Sequence, residues 1–582
     1  MRVVRRDPNK GYIDDWLWIP QSFVNVNSVK QSLTHKIADY SGHEKLVYLY
    51  KEAPHHLLVP RAYWNPSSLP FDVVDCRPRR FTQVSFKTRI KLDHLKVEGK
   101  LIPTGDDVQQ KSMGALQQAM GGVLQLACGK GKTIIALEYI ARSQMPAIIM
   151  LDNTNLFHQW MDDIREHLVV PGGVGVIAGG KKDWKKGLVL GTYHSVANWA
   201  DTMPEEVRSW FGSAFWDEGH HLSAPVFSKS APLFYGFRFL LTATPERDDG
   251  MHIIADMHVG RVLFKDLREM MPSRIIFKWT GLELDLTDPT CDVTDVNGEI
   301  HTSKVYTYLG KWRHRLWVLV QDCIDAVSTG RKVLLLSNSV DEVVNLMTLW
   351  TRGPHTPLYS DVPTPTNTDV GSTLTPLALD DKEGKRLKAN IAKQKKLVEK
   401  PHNPTKQAEL EGQLASMEQD WERYQVHRKI LRELEKRQKA FLRTLIDEVS
   451  SAGVMTYGVP PARRQEFLDS RPVVFAITKY GKEGLDCPEL DTVLVSTPFS
   501  SKNGLQQLKG RPTRIRAGKK PPLIVIYRDN IGVMHGMCQK LESHLRSWPH
   551  EEGGPFDFEY VDNPQTKRWQ KATSLKDAFG QL

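Results

Sequence analysis

The chain has 582 residues, a formal charge of +10, 40% hydrophobic and 25% charged residues. That length allows several cores and three or four domains at ordinary domain size, which excludes a small disulfide-stapled scaffold. The six cysteines are scattered without paired spacing, against a disulfide framework or zinc cluster and in keeping with a reducing compartment; the basic balance favours a polyanionic partner without requiring one.

The N-terminal MRVVRRDPNKGYIDDWLW carries charge with no apolar run behind it, and no later segment has the length of a bilayer span. The expectation is a soluble cytoplasmic protein, not secreted and without a membrane partner. Residues 1–95 interleave Trp16, Trp18, Tyr40, Tyr48, Tyr50, Tyr63 and Trp64 with basic residues, and Leu46-Val47-Tyr48-Leu49-Tyr50 has strand composition. This texture predicts a small α+β N-terminal domain. Aromatics beside Lys and Arg suit stacking on bases, but so small a domain also needs them for its core, and no binding residue is singled out.

From 96 to 268 the pattern becomes buried strands that end in polar corners. Val123-Leu124-Gln125-Leu126 reads as a strand, Ile134 to Ile140 as an apolar helix, and Ala127-Cys128-Gly129-Lys130-Gly131-Lys132-Thr133 joins them. A strand-to-helix turn of this kind presents free helix N–H groups to phosphates. Gly129 and Gly131 let the backbone curl around the anion, Lys132 reaches the β/γ-phosphates, and the Thr133 hydroxyl suits Mg²⁺. Leu126 stands where the full pattern has glycine, and a Gly-Lys turn alone also fits a plain surface connection.

About 85 residues beyond Lys132, Ala214-Phe215-Trp216 leads into Asp217-Glu218-Gly219-His220-His221. Carboxylates at a strand's C-terminal end suit phosphoryl transfer: Asp217 to hold Mg²⁺, Glu218 to orient and deprotonate water. Phe239 to Thr242 is a further buried strand, running into Ala243-Thr244-Pro245-Glu246-Arg247-Asp248-Asp249-Gly250. Alone, each of these also fits a turn with exposed polar groups.

A second lobe is expected over 269–355 and 450–545, interrupted by an insertion at 356–449. Pro354 to Pro376 has linker composition; 380–400 and 405–449 are charge-dense and separated by Pro401-His402-Asn403-Pro404. Leu410, Leu414, Met417, Trp421 and Tyr424 alternate spacings of four and three, roughly continued by Leu431, Leu434, Leu442 and Leu445. That is an antiparallel helical hairpin of coiled-coil character, its longer arm about 60 Å at about 1.5 Å per residue. It reads equally as a DNA-guiding or protein-binding arm and as a solvated insertion. Gln507-Leu508-Lys509-Gly510-Arg511-Pro512-Thr513-Arg514 then offers two guanidinium groups that suit a γ-phosphate, or a basic loop without a role. Residues 546–582 read as a tail.

The order of these elements, each at a strand-to-loop junction, resembles the superfamily 2 helicases over about Gln109 to Arg514. The resemblance is closest to XPB/UvsW-type and type III restriction-like DNA translocases, and the N-terminal layout is similar to phage-type members. Leu126–Thr133 resembles motif I, where leucine at the first position is acceptable, and Gln109 the adenine-reading glutamine. Ile149 to Trp160 is similar to motif Ia, Leu190-Gly191-Thr192-Tyr193-His194-Ser195 to a later strand-contacting motif, and Asp217–His220 to the DEAH box with Gly219 in place of alanine, a change expected to loosen the turn. Leu241–Pro245 is similar to motif III, Ser337-Asn338-Ser339 after Val333–Leu336 to motif IV, Thr478–Asp486 to motif V and Gln507–Arg514 to motif VI.

The resemblance implies an α/β protein with two RecA-like parallel-sheet lobes closing on ATP and Mg²⁺. On it, Lys132, Asp217, Glu218, Gln507, Arg511 and Arg514 are catalytic. Gln109, Gly129, Lys130, Gly131, Lys132, Thr133, Gly484 and Asp486 bind ATP, Thr133 and Asp217 hold Mg²⁺, and Asn155, Thr192, Ser337 and Thr478 grip nucleic acid. The implied activity is that of an ATP-dependent helicase or translocase on duplex, forked or branched DNA, in cytoplasm (the host's, if viral) and associated with the nucleoid. An RNA helicase shares every phosphate-handling residue, and a nucleotide-dependent clamp is the other alternative. No separate nuclease constellation stands out.

Overall fold

The computed structural model describes residues 6–38, 44–97, 100–219, 222, 227–244, 252–269, 271–284, 291, 293–294, 298–359, 381–399, 404–482, 487–513 and 518–561. Lobe 1 is a sheet of seven strands: β1 (Gly121–Leu126), β2 (Ala147–Leu151), β3 (Val174–Ile177), β4 (Leu188–Thr192), β5 (Ser213–Asp217), β6 (Phe237–Thr242) and β7 (Val262–Asp266). They lie in the order β3-β4-β2-β5-β6-β1-β7, every neighbouring pair parallel. Strands buried on both faces need continuous apolar runs, and Ala147–Leu151 and Ser213–Asp217 are buried at every position.

Lobe 2 repeats this arrangement with β8 (Arg274–Glu283), β9 (Val333–Ser337), β10 (Ala452–Met455), β11 (Val473–Ile477), β12 (Thr492–Val495), β13 (Leu523–Asn530) and β14 (Phe558–Val561). Its order is β10-β11-β9-β12-β13-β8-β14, again all parallel. Numbered within each lobe, both sheets read 3-4-2-5-6-1-7. The fold is therefore α/β with two RecA-like lobes. The tail expected from residue 546 is corrected in part: β14 is the edge strand of lobe 2, its Phe558 and Tyr560 rings 5.3 and 6.0 Å from Phe277. A four-residue strand after a proline-glycine stretch gives little periodicity to read.

In both lobes the C-terminal ends of parallel strands face the same edge, where such sheets carry their ligands. Helices α1 (Lys132–Ser143), α2 (Thr154–His167) and α3 (Tyr193–Trp199) follow β1, β2 and β4. In lobe 2, α4 (Arg313–Ser328) precedes β9 and α5 (Val340–Arg352) follows it.

The N-terminal region holds a five-stranded sheet, in the order Lys51–Glu52, His56–Val59, Leu17–Pro20, Gly11–Ile13 and Val73–Asp75, and the helix Val26–Ser32. It is bolted to lobe 1. Buried Arg61 donates to the carbonyls of Phe234, Tyr235 and Gly236 at 3.3, 3.1 and 3.0 Å, buried Arg238 donates to Asp15 O at 2.8 Å, and Ile254 of lobe 1 lies in the small domain's core. Trp16 is buried edge-on against His258, with ring centroids 5.0 Å apart; it serves the core.

The insertion contains α6 (Asp381–Val398) and α7 (Pro404–Glu448). Gln407 Nε2 donates to Val398 O and Gln394 Nε2 to Leu410 O, each at 3.2 Å, and Lys395 pairs with Glu418 at 2.8 Å, so the helices run antiparallel. Tyr424, Leu442 and Leu445 are buried; the side chains of Leu431 and Leu434 lie outside the described residues, as do 360–380 of the expected linker. Among the described residues no helix is long and apolar enough to cross a membrane.

Candidate functional site

The turn after β1 is shaped by two glycines in the left-handed region, Gly129 at φ 84° and Gly131 at φ 82°, where a Cβ would strain the backbone. Leu126 is fully buried in the lobe 1 core, which accounts for an apolar residue at the first position: only its backbone serves the turn. Its carbonyl accepts from Lys132 Nζ at 3.0 Å, with Ala127 O at 3.4 Å. Lys132 and Thr133 open α1, where N–H groups lack intrahelical partners. The Lys130 side chain is corrected as an ATP ligand. Its ammonium is buried, 3.1 Å from Asp106 and 3.7 Å from Asp266, so Lys130 contributes backbone to the turn and charge to the core.

Gln109 braces the turn from behind. It is buried, its Oε1 accepts from Asp93 N–H at 2.7 Å, and its Nε2 lies 3.5 Å from Lys130 O. A Cβ on Gly131 would come within 2.5 Å of Gln109 Nε2. The φ requires glycine there, and a larger residue would also displace the end of the Gln109 side chain. Asp93 answers by accepting from the Gln109 N–H at 2.8 Å; nothing in the sequence marked it.

The acidic pair closes β5. Asp217 is buried, with Oδ2 accepting from Trp160 Nε1 at 2.7 Å and Oδ1 from Glu218 N–H at 3.0 Å. Burial and then Glu218 push the Asp217 carboxyl up to about 6, against the pull of Trp160 and Lys132; the pull from Lys132 ties this corner to the phosphate turn. Glu218 has φ +47°, a costly backbone state for a non-glycine residue and one that concentrates at functional sites. Gly219 does not loosen the corner: it is buried and a Cβ would lie 2.1 Å from Leu240 Cγ, so glycine lets the turn close down on β6. His220 and Pro245–Gly250 lie outside the described residues. Tyr193 O–H donates to Asp217 O at 2.9 Å, joining the corner after β4 to the acidic one. Trp160 and Tyr193 sit inside motif-like stretches, but only the fold shows that both serve Asp217.

Lobe 2 meets this edge through α8 (Lys502–Lys509). Gln506 Nε2 donates to Ala243 O at 3.1 Å, and Gln125 Nε2 from within lobe 1 approaches the same carbonyl at 3.4 Å. A Cβ on Gly510 would lie 2.5 Å from Cys128 Cβ, so the arginine segment touches the phosphate turn directly. Gln506, the neighbour of the expected Gln507, thus makes a hydrogen bond between the lobes. Arg511 follows α8 and is half-buried; Arg514, Gly484 and Asp486 lie outside the described residues.

The four residues expected to grip a strand fall at the ends of strands 2 and 4 of the two lobes. Thr192 ends β4 and caps α3, its Oγ1 accepting from Ser195 N–H at 3.3 Å. Asn155 lies in the first turn of α2, and its side chain is outside the described residues. In lobe 2 Thr478 donates to Ser337 O at 3.0 Å. Ser337 is corrected: its side chain is fully buried and bonded to Glu342, with Ser339 N–H donating back to its hydroxyl at 3.0 Å, so it shapes the corner and presents no hydroxyl to a ligand.

One arrangement had no sequence signal. Arg315 is fully buried, donating to Glu342 at 2.5 Å, Asp529 at 2.9 Å and Ser496 O at 2.7 Å. Burial pulls its guanidinium down, but Asp529 and Glu342 outweigh burial and hold it above the usual range. The network ties together the ends of β9, β12 and β13.

Residues 88–247 match the family model described as "Type III restriction enzyme, res subunit". A DNA 3'-5' translocase XPB2 of Sulfurisphaera tokodaii is 33% identical over 174 residues, 30% of this chain and 38% of that protein. A protein of Acanthamoeba polyphaga mimivirus, provisionally described as an ATP-dependent RNA helicase, is 26% identical over 252 residues, 42% of this chain and 47% of that one. A DNA 3'-5' helicase XPB of Kineococcus radiotolerans is 30% identical over 135 residues, 22% of this chain and 24% of that protein. The chain thus matches less than half the length of these relatives.

Proposed function

We propose, for a chain that belongs with the XPB-like and type III restriction-like helicases of superfamily 2, that it is an ATP-driven motor on duplex or branched DNA. The observation that carries this reading is the joint between the lobes: Gln506 of α8 on Ala243 O at 3.1 Å, with Gly510 packed against Cys128 of the phosphate turn. A triphosphate on that turn would lie between the two lobes, so Arg511 could answer to its γ-phosphate from the second, the role the sequence pattern also gives Arg514.

In this reading Lys132 leaves the carbonyls of Leu126 and Ala127 for the phosphates, and the free amides at the start of α1 take the oxygens between them. Glu218, held in its strained backbone state, orients and deprotonates the attacking water. Thr133 and Asp217 are hard oxygen donors of the kind Mg²⁺ takes alongside phosphate oxygens, and the ion when bound neutralises phosphate charge. Tyr193 couples the acidic corner to the strand-facing end of β4. Hydrolysis removes the anchor that holds the lobes closed, and loops at Thr192 and Thr478, gripping phosphates in alternation, convert opening and closing into movement indifferent to sequence. The DEAH-like reading of Asp217–His220 belongs to this proposal.

The second reading, an RNA helicase, is favoured by the mimivirus relative's description. ATP turnover measured in parallel with single-stranded DNA, duplex DNA, forked DNA and RNA separates the two. Stimulation by duplex or forked DNA is expected; stimulation by RNA alone would overturn the proposal.

A further inference from the structure

The long helix α7 is divided by charge. From 404 to 422 it carries five acids and one cation, Lys406, and the acid Glu418 pairs with Lys395 of α6. From 423 to 448 it carries eight cations against four acids. Six of these cations, Arg428, Lys429, Arg432, Lys436, Lys439 and Arg443, fall within about 100° of arc when the helix turns by about 100° per residue. Every residue between 428 and 443 in that arc is cationic. The acids Glu433 and Glu435 fall outside it, and Lys436 is 3.7 Å from Glu433, a loose pair. Lys429, Arg432, Lys436 and Arg443 are exposed.

The base of the helix fixes where this stripe begins. Glu448 pairs with Arg352, the last residue of α5, at 2.6 Å. Ten residues earlier, Gln438 Nε2 donates to Asp341, in the first turn of α5, at 2.7 Å and its Oε1 accepts from Tyr457 O–H at 3.1 Å. Asp341 follows the corner at Ser337–Ser339, and Tyr457 follows the end of β10, so Gln438 marks the C-terminal edge of the lobe 2 sheet. Everything N-terminal to it in α7 projects past that edge, which also carries Thr478. The stripe therefore starts at the strand-facing rim, where Lys439 Nζ lies 4.8 Å over the exposed Tyr457 ring, and continues about 15 Å beyond it at about 1.5 Å per residue.

We infer that this stripe is a docking surface for the phosphate backbone of duplex nucleic acid. Its cations recur every three or four residues, about 5–6 Å apart, closer than the Debye length of about 10 Å at 0.1 M salt, so they act on a polyanion as one charged line. The line is straight over about 22 Å and its six positions carry no aromatic residue, while the Tyr457 ring at its base lies under Lys439; this suits a stiff duplex read through its phosphates better than single-strand bases that need a row of stacking platforms. The inference rests on the DNA-motor reading and assigns the insertion a place in it: a rail that holds duplex beside the rim while the lobes cycle.

The test compares wild type with the triple variant K429Q/R432Q/K436Q, whose glutamines keep helix propensity. Anisotropy of a labelled duplex of about 40 base pairs gives Kd between about 50 and 200 mM salt. The expected result is a slope of log K against log salt shallower by about 2–3, near 0.9 per lost phosphate contact, and at least tenfold weaker binding at about 100 mM, with helix content and DNA-free ATP turnover unchanged. An unchanged slope and Kd overturn the inference and hand the stripe to an acidic protein; so does a loss seen on single strands alone. ATP turnover of wild type with duplex is read alongside: if duplex fails to stimulate it, the motor reading falls, while the slope difference still judges the rail.

Discussion

Lobe 1 and lobe 2 are laid out on one strand order, 3-4-2-5-6-1-7, yet the ends of strands 1, 5 and 6 hold opposite things. In lobe 1 those ends carry the phosphate turn, the Asp217–Glu218 corner and Thr242–Thr244. In lobe 2 the corresponding ends carry Thr280, Ser496 and Asp529, knotted by Arg315 and Glu342 into a buried network, with Thr280 bonded to Asp529. Where lobe 1 keeps polar groups poised, lobe 2 satisfies most of its own internally. In the proposed reading the same topology serves once as a reaction site and once as a lever; the ends of strands 2 and 4 carry Asn155, Thr192, Ser337 and Thr478, of which Ser337 is buried in the lobe 2 corner.

Substitutions on the two sides of that comparison are expected to fail differently. Lys132→Ala or Glu218→Gln in lobe 1 abolishes nucleic-acid-stimulated hydrolysis, by on the order of 10³-fold or more, about 4 kcal/mol of barrier, with the fold intact by circular dichroism; full turnover in either removes that residue from the site. Arg315→Ala in lobe 2 acts on stability instead, leaving two carboxylates buried without their cation at a cost of about 3–5 kcal/mol, read as a lower urea midpoint without nucleotide. An unshifted midpoint would mean that the network is not what stiffens the lever.

A buried lysine beside the joint between the lobes gives a smaller, pH-dependent effect. Burial pulls the Lys509 ammonium down to about 8 from 10.5, against the opposing pull of Glu269 at 3.0 Å. Between those values the folded chain binds fewer protons than the unfolded one, so stability rises with pH: the cost of the buried charge is fully present below about 8 and lost by 10.5. Lys509→Met flattens this. Wild type should gain about 1–3 kcal/mol on the variant across that window by urea denaturation; parallel profiles would show the ammonium to be solvated.

The phosphate turn and the acidic pair were legible because their chemistry demands residue types at fixed local spacing: glycine at positive φ, Lys-Thr at a helix start, two carboxylates after an apolar strand. What holds them was not. Trp160 and Tyr193 reach Asp217 across 57 and 24 residues, Asp93 reaches Gln109 across 16, and Arg315 gathers partners from a helix and two strand ends. Such contacts are long-range and leave no local period. Local pattern also misled where burial decided: Lys130 looks like a phosphate ligand until Asp106 and Asp266 are seen around it, Ser337 like an exposed hydroxyl until β9 buries it, and Gly219 like slack until Leu240 is found against it. The hairpin's existence was plain from proline and leucine spacing, but the side of the sheet from which it projects depended on Gln438, Asp341 and Tyr457.

The central claim is that chemistry prepared in lobe 1 is completed by lobe 2, and Arg511→Ala tests it most directly, by ATP affinity and DNA-stimulated turnover measured on the same preparation. The account predicts affinity within a few-fold of wild type and turnover reduced on the order of 10³-fold, as for loss of a transition-state arginine. Wild-type turnover would contradict it, leaving lobe 1 to work alone.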